Sequence, residues 1–191
     1  MKYLFLMIIV LAISCKAQTV SLETAAQCAT NTNCPDYTYA KDINNSLDKY
    51  VGHWIGISNG ITYEVKFNKN LYEDSDMKRD RLKGRIRITS QSSGGFPPLV
   101  VFDNLNESDD SKTNFSGLNF QPNLQSYLVS FVGSSPEGCI NYGTVYLTVN
   151  PGTPNQMSMM YWSDHDIVQG DCPAGFIQTF PEKQVIHLTK Q

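Results

Sequence analysis

Charge is scarce along this chain, and what there is of it is unevenly placed. Asp, Glu, Lys and Arg make up 17% of the 191 residues, against roughly 25% in an ordinary soluble domain. A net charge of −3 excludes a globally basic nucleic-acid binder, and a 41% hydrophobic content excludes a disordered chain. No arginine follows Arg87, and beyond it only Lys112, Lys183 and Lys190 are basic, against nine acids. Long apolar runs are also missing. Leu4–Ile13 is ten residues long, half of the roughly 20 that a membrane-spanning helix needs. There is no Cys-x-x-Cys pair to hold zinc. No internal repeat is evident.

What is present begins with an address. Met1-Lys2-Tyr3 supplies one positive charge ahead of the apolar run, the pattern of a secretory signal peptide. The run ends Leu11-Ala12-Ile13-Ser14-Cys15, which resembles the lipobox of bacterial lipoproteins. The leucine stands four places before the cysteine rather than three, with Ala12 in its slot. The resemblance implies cleavage between Ser14 and Cys15 and attachment of acyl chains such as palmitate to Cys15. Each buried CH₂ contributes about 0.8 kcal/mol, so several chains anchor a soluble domain to a membrane surface where one does not. The expected organisation is a signal peptide at 1–14, a lipidated cysteine and polar tether at 15–38, and one domain at 39–191. The expected location is the cell envelope. No acid precedes Glu23, which favours the periplasmic side of an outer membrane over the cell surface. The other reading of these residues is plain secretion with cleavage after Ala17.

The cysteine count is odd, and the anchor accounts for it. Setting Cys15 aside leaves Cys28, Cys34, Cys139 and Cys172, an even set in an oxidising compartment that permits three pairings. The polar Ala-Thr-Asn-Thr-Asn between Cys28 and Cys34 loops back easily, so 28–34 with 139–172 is the favoured pairing. Loop closure alone makes the longer bridge worth roughly 3.7 kcal/mol and the shorter roughly 2.4 kcal/mol.

Periodicity then sets the fold class. Ile43, Leu47, Tyr50 and Val51 recur at helical spacing, with Asp42 as N-cap and Gly52 as stop, which predicts a short amphipathic helix. From Trp54 the period becomes two. Ile61, Tyr63, Val65 and Phe67 alternate with polar residues behind a Ser58-Asn59-Gly60 turn, which predicts a hairpin with Trp54–Ile57. Leu82–Ile88 alternates likewise. Further strands are expected at about 98–103, 113–120, 125–132, 140–149, 156–162 and 184–189, separated by turn clusters including Ser92-Ser93-Gly94-Gly95. Eight or nine such strands argue for an all-β barrel or sandwich.

Gly52-His53-Trp54, after a short helix and at the head of the first strand, resembles the Gly-x-Trp signature of lipocalins and related calycin barrels. Their Thr-Asp-Tyr motif is absent. The resemblance implies a lipocalin-like antiparallel barrel of about eight strands preceded by a short helix. Trp54 would close one end, with a basic residue near the C-terminus stacked over it, a cation–π contact of up to about 2 kcal/mol. Lys190 is the candidate. Over more of the chain, Cys15-Lys16-Ala17-Gln18, the stretch Leu22–Cys28, Asp42–Gly52 and Tyr142–Leu147 resemble a family of Bacteroidota lipoproteins of unassigned function. That likeness implies an exported location and brings no activity with it.

All four arginines lie within nine residues, and Arg79, Arg81, Lys83, Arg85 and Arg87 take alternate positions. On a strand they share one face over roughly 26 Å. Such a row suits an anionic glycan, lipid or protein. It equally suits a solvated outer face neutralised by Glu64 and the acids of the following loop. Ser163-Asp164-His165-Asp166 holds the residue types of a hydrolytic triad, but contiguous residues cannot converge as one. No acid–base–nucleophile set, cofactor motif or metal-ligand spacing stands out, so enzyme activity ranks third among the readings. Met157, Met159, Met160, Tyr161 and Trp162 form an adaptable apolar patch. The leading expectation is a membrane-anchored barrel binding a small apolar or amphiphilic ligand, lined by Trp54, Tyr63, Phe67, Met159 and Tyr161. Its rival is an envelope interaction module that uses the Arg79–Arg87 face.

Overall fold

The computed structural model of the chain describes residues 18–91 and 97–191. The signal segment 1–14, the lipidation site Cys15 and the Ser92–Gly95 turn cluster lie outside the described residues. The period-two segments all form strands. After β1 (Thr19–Ser21) and β2 (Tyr39–Lys41) come β3 (Gly52–Ser58), β4 (Ile61–Glu73), β5 (Lys78–Ser90) and β6 (Val100–Asp103). They are followed by β7 (Phe115–Phe120), β8 (Tyr127–Val132), β9 (Tyr142–Val149), β10 (Gln156–Ser163) and β11 (Val185–Lys190).

Eight of these strands close into an antiparallel barrel. β3, β4, β5, β7, β8, β9, β10 and β11 pair in that order. β11 returns to β3 through Thr189–Ile55 and Lys190–Trp54. β6 lies along the end of β5. β1 and β2 extend the sheet by parallel pairing at Lys78 and Arg79. Closure buries one face of every strand and leaves few free edges, so period-two alternation is the pattern it needs.

Two local features make this register possible. Asn59 and Gly60 both have positive φ, 51° and 74°, the geometry of the two-residue turn whose twist matches its flanking strands. Where β5 crosses from β4 to β7, Gly84 faces the interior. A Cβ there would lie 2.5 Å from the Phe67 ring and 2.8 Å from the Phe115 Cβ, so only glycine lets these two rings meet behind the strand.

The short helix is present but not where helical spacing places it. α1 is Leu22–Gln27, capped by Ser21, whose Oγ accepts the Thr24 N–H at 3.1 Å. Residues 43–51 instead form successive turns, with Asp48 N–H bonded to Asn45 O and Tyr50 N–H to Leu47 O. Asn45 sits at φ 54°, which breaks a right-handed helix, and Asn-Asn-Ser favours turns over helix. The apolar positions survive the change: Leu47 and Tyr50 are fully buried, while Ile43 stays exposed. The segment expected as a tether is likewise built into the domain from β1 onward. Val20, Leu22 and Ala26 join the core, and the carboxylate of Glu23 accepts from Asn44 Nδ2 at 3.1 Å and from the Ser46 hydroxyl.

Candidate functional site

The barrel interior is filled by rings. At one end Tyr50, Phe120 and Tyr127 pack with centroids 4.9–6.4 Å apart, and Trp54 Nε1 donates to Tyr50 O at 2.8 Å. Lys190 Nζ lies 5.3 Å from the Trp54 centroid, the cation–π partner expected for the closed end. At the other end Tyr63, Phe115, Phe131 and Tyr161 surround Phe180 at 4.8–5.9 Å. Phe180 comes from no strand. It is lowered into the barrel mouth by the connection between β10 and β11.

That connection is pinned on both sides of the ring. Thr179 N–H donates to Asn141 Oδ1 at 3.0 Å, and Asn141 Nδ2 returns a bond to Thr179 Oγ1. On the other side Lys183 N–H donates to Tyr161 O at 2.8 Å. A disulfide joins Cys139 to Cys172, with Cα atoms 4.6 Å apart, and a second joins Cys28 to Cys34. Both are the pairs favoured by spacing.

The residues expected to line a ligand cavity therefore all face inward, but they face one another. Tyr63, Phe67, Met159 and Tyr161 are at most 2% exposed. None of them lines five open clefts on the surface of the described residues. Burial pushes the Tyr63 hydroxyl up, and the Tyr161 hydroxyl up to about 12. The interior is crowded by side-chain volume: an eight-stranded barrel has room either for side chains or for one small ligand, and here twelve aromatic or leucine-sized side chains are fully buried. The methionine-rich patch also divides. Met157, Met159 and Tyr161 point in, while Met160 and Trp162 point out.

The basic row lies on the outer face of β5 as its alternation requires, yet its members differ. Arg85 is buried, donating to Asp110 Oδ1 at 2.7 Å and to Glu107 O. Arg87 is bound by Asp103 at 2.9 Å and Glu64 at 3.5 Å. Lys83 reaches the Asp110 carbonyl at 3.4 Å. These three are largely consumed within the chain. Arg79 and Arg81 have no carboxylate partner among the described residues. Arg79 Nη1 donates to Leu118 O at 2.6 Å, and the Arg81 guanidinium stacks 4.2 Å from the Tyr72 centroid. The Arg81 Nε is buried without a hydrogen-bond partner, and burial holds the group below its ordinary pKa.

The seam between β5 and β7 explains this difference. The two strands pair only at Lys83–Ser116 and Gly84–Phe115, and β2 takes over at Lys78 and Arg79. The split leaves two adjoining clefts of about 370 and 260 Å³ that share Arg79 and Leu118. Leu22, Ala25 and Tyr37 wall the larger cleft; Tyr72, Met77 and Arg81 wall the smaller. Nothing in the sequence marked Arg79 and Arg81 apart from their neighbours, because the pairing acids lie on other elements.

The Ser163–Asp166 stretch is an irregular connection in which Asp166 accepts from the Tyr142 hydroxyl at 3.0 Å. His53 Nε2 lies 2.8 Å from Glu64 Oε1 on the outer face. Among the described residues no three His, Cys, Asp or Glu side chains converge as a metal site.

Fold and clefts together define a small closed-barrel protein with a plugged interior and its open concavities on the outside. The chain belongs to DUF6705, a family of unknown function, whose model matches residues 1–141. That match ends just before β9. No curated protein and no solved structure matches the chain.

Proposed function

We propose that this chain is an exported binding protein, anchored to the envelope membrane through an acylated Cys15, that takes an anionic group at the β5–β7 seam. One observation carries the reading. Arg79 and Arg81 border two adjoining clefts without a carboxylate partner among the described residues, while Arg85 and Arg87 are taken by Asp110, Asp103 and Glu64. Two guanidinium groups two positions apart on a strand stand about 7 Å apart at the backbone, close enough to share one carboxylate- or phosphate-bearing ligand. The aromatic ring of Tyr72 and the apolar walls fit a ligand that is part polar and part apolar. The membrane, a lipid headgroup or a glycan acid are the partners this chemistry addresses; nucleic acid is not among them.

The test uses mature protein purified from its own membranes, with mass spectrometry first reporting the acyl group on Cys15. Binding is then measured to phosphatidylglycerol vesicles and to a soluble oligouronate, with the Arg79→Glu/Arg81→Glu variant alongside. Wild type is expected to bind at least one probe in a salt-sensitive way, and the variant to lose it, whereas Arg87→Gln leaves it intact. Equal binding by wild type and the double variant overturns the reading.

A second reading keeps a small apolar ligand inside the barrel, and Phe180 is the observation that favours it. Its ring already occupies an aromatic well between Tyr63, Phe115, Phe131 and Tyr161. It is carried by a connection without regular secondary structure, so a flat ligand that displaced this one side chain would inherit its contacts.

A further inference from the structure

The outside of the barrel is divided by charge. Outward positions on β4 and β5 carry Glu64, Lys66, Lys83, Arg85 and Arg87. In contrast, β8, β9 and β10 carry no charged residue on either face. From Gln121 to Ser163 the chain holds a single charged side chain, Glu137, and that lies in the turn before Cys139. A large charge-free surface on a soluble domain is expected to be either covered or used.

This surface is not simply apolar. The hydroxyls of Ser126, just before β8, of Thr148 on β9 and of Ser158 on β10 stand in a row, at about the 4.8 Å interval between strands. The row runs beside Tyr146, Met160 and Trp162. The two rings lie 6.2 Å apart at 56°, and Lys183 Nζ, 5.2 Å from the Trp162 centroid, steadies the indole. Trp162 remains 43% exposed. Two open clefts of about 380 and 430 Å³ meet at Thr148 and Ser158, so together they form one elongated groove.

Ligand chemistry follows from what the groove offers and omits. An ion would find little counter-charge: no Asp, Glu, Lys or Arg lines the groove, His187 stands at its edge, and Lys183 beside Trp162 is already paired with Glu182 at 3.2 Å. A membrane surface would want basic residues around the apolar ones. A neutral sugar chain meets every element of the face. Its hydroxyls both donate and accept, as Ser and Thr do. Its C–H face carries the weakly positive hydrogens that the negative face of an aromatic ring attracts. We infer that the outer face of β8–β10 binds a neutral polysaccharide, with Trp162 and Tyr146 as stacking platforms and the Ser126–Thr148–Ser158 row as the polar track. This site is separate from the Arg79–Arg81 seam and stands without it.

The experiment is affinity electrophoresis of the intact mature protein through gels containing, in turn, β-1,3-glucan, β-1,4-glucan, α-1,4-glucan, xylan and mannan. Retardation by at least one of these is expected. Trp162→Ala and Tyr146→Ala, checked for an unchanged melting temperature, are each expected to weaken it about threefold to tenfold. Arg79→Glu/Arg81→Glu should leave it unchanged, which keeps failure here distinct from failure at the seam. Three results overturn the inference: no retardation across the panel, retention of binding in Trp162→Ala/Tyr146→Ala, or Trp162-dependent binding to phosphatidylcholine vesicles in place of glycan.

Discussion

Replacing Phe180 with alanine tests whether one loop-borne ring closes the barrel. Its side chain is 1% exposed and contacts Tyr63, Phe115, Phe131 and Tyr161 at 4.8–5.9 Å. Truncating a buried phenylalanine costs about 3–5 kcal/mol, from lost transfer energy and from the cavity left behind. Phe180→Ala belongs near the lower end, about 3 kcal/mol, because an irregular connection relaxes more readily than a strand. The relaxation is limited by the bonds of Thr179 to Asn141 and of Lys183 to Tyr161. For a domain of this size about 3 kcal/mol lowers the melting temperature by about 6–12 °C. A dry cavity lined by rings should also take up benzene or indole, as engineered apolar cavities do. Differential scanning calorimetry with and without saturating benzene reads both effects. Phe180→Ala is expected to melt early and to recover part of the loss with benzene, while wild type does not respond. A drop of less than about 2 °C, or a benzene effect equal in wild type, would refute the plug and the inner-ligand reading built on it.

Two further outcomes follow from the same core. The hydroxyls of Tyr50, Tyr63, Tyr127 and Tyr161 are all pushed up by burial, that of Tyr161 to about 12. A group whose folded pKa is raised keeps its full contribution below its unfolded pKa, here about 10, and loses it as pH rises through the folded value. Urea midpoints should therefore hold steady up to about pH 10 and fall toward about pH 12, with the tyrosinate absorbance of these four among the chain's ten tyrosines appearing only as the protein unfolds; ionisation of all ten in the folded protein would contradict the burial. Gly84→Ala places a methyl 2.5 Å from the Phe67 ring and should destabilise by about 1–3 kcal/mol through overpacking. Phe67→Leu in the same chain is expected to restore part of that loss in thermal unfolding, and no restoration would place the strain elsewhere.

Much of the barrel was legible because period two is a local property with a global consequence. Each strand that alternated in sequence alternates in burial, and the Asn59-Gly60 turn needs only its own two residues to select its geometry. Helical spacing at Ile43–Val51 misled for the opposite reason. Leu47 and Tyr50 do reach the core, but the backbone between them is decided by Asn45 and by contacts to Glu23 from twenty residues away. The tether reading failed likewise, since the short β1 finds its partner β2 only once the β4–β5 hairpin extends past the barrel.

Composition and pattern by themselves determined that this chain is all-β and that five basic side chains share one strand face, and they favoured the 28–34 and 139–172 cysteine pairs among three possible pairings. They did so because alternation, turn chemistry and loop length act within a few residues along the chain. Only tertiary structure decided that the interior is filled, since that depends on Phe180 arriving from a segment with no period of its own. It also decided which arginines remain available. Asp103 and Asp110 reach Arg87 and Arg85 from sixteen and twenty-five residues away, and the split seam leaves Arg79 and Arg81 without such partners among the described residues.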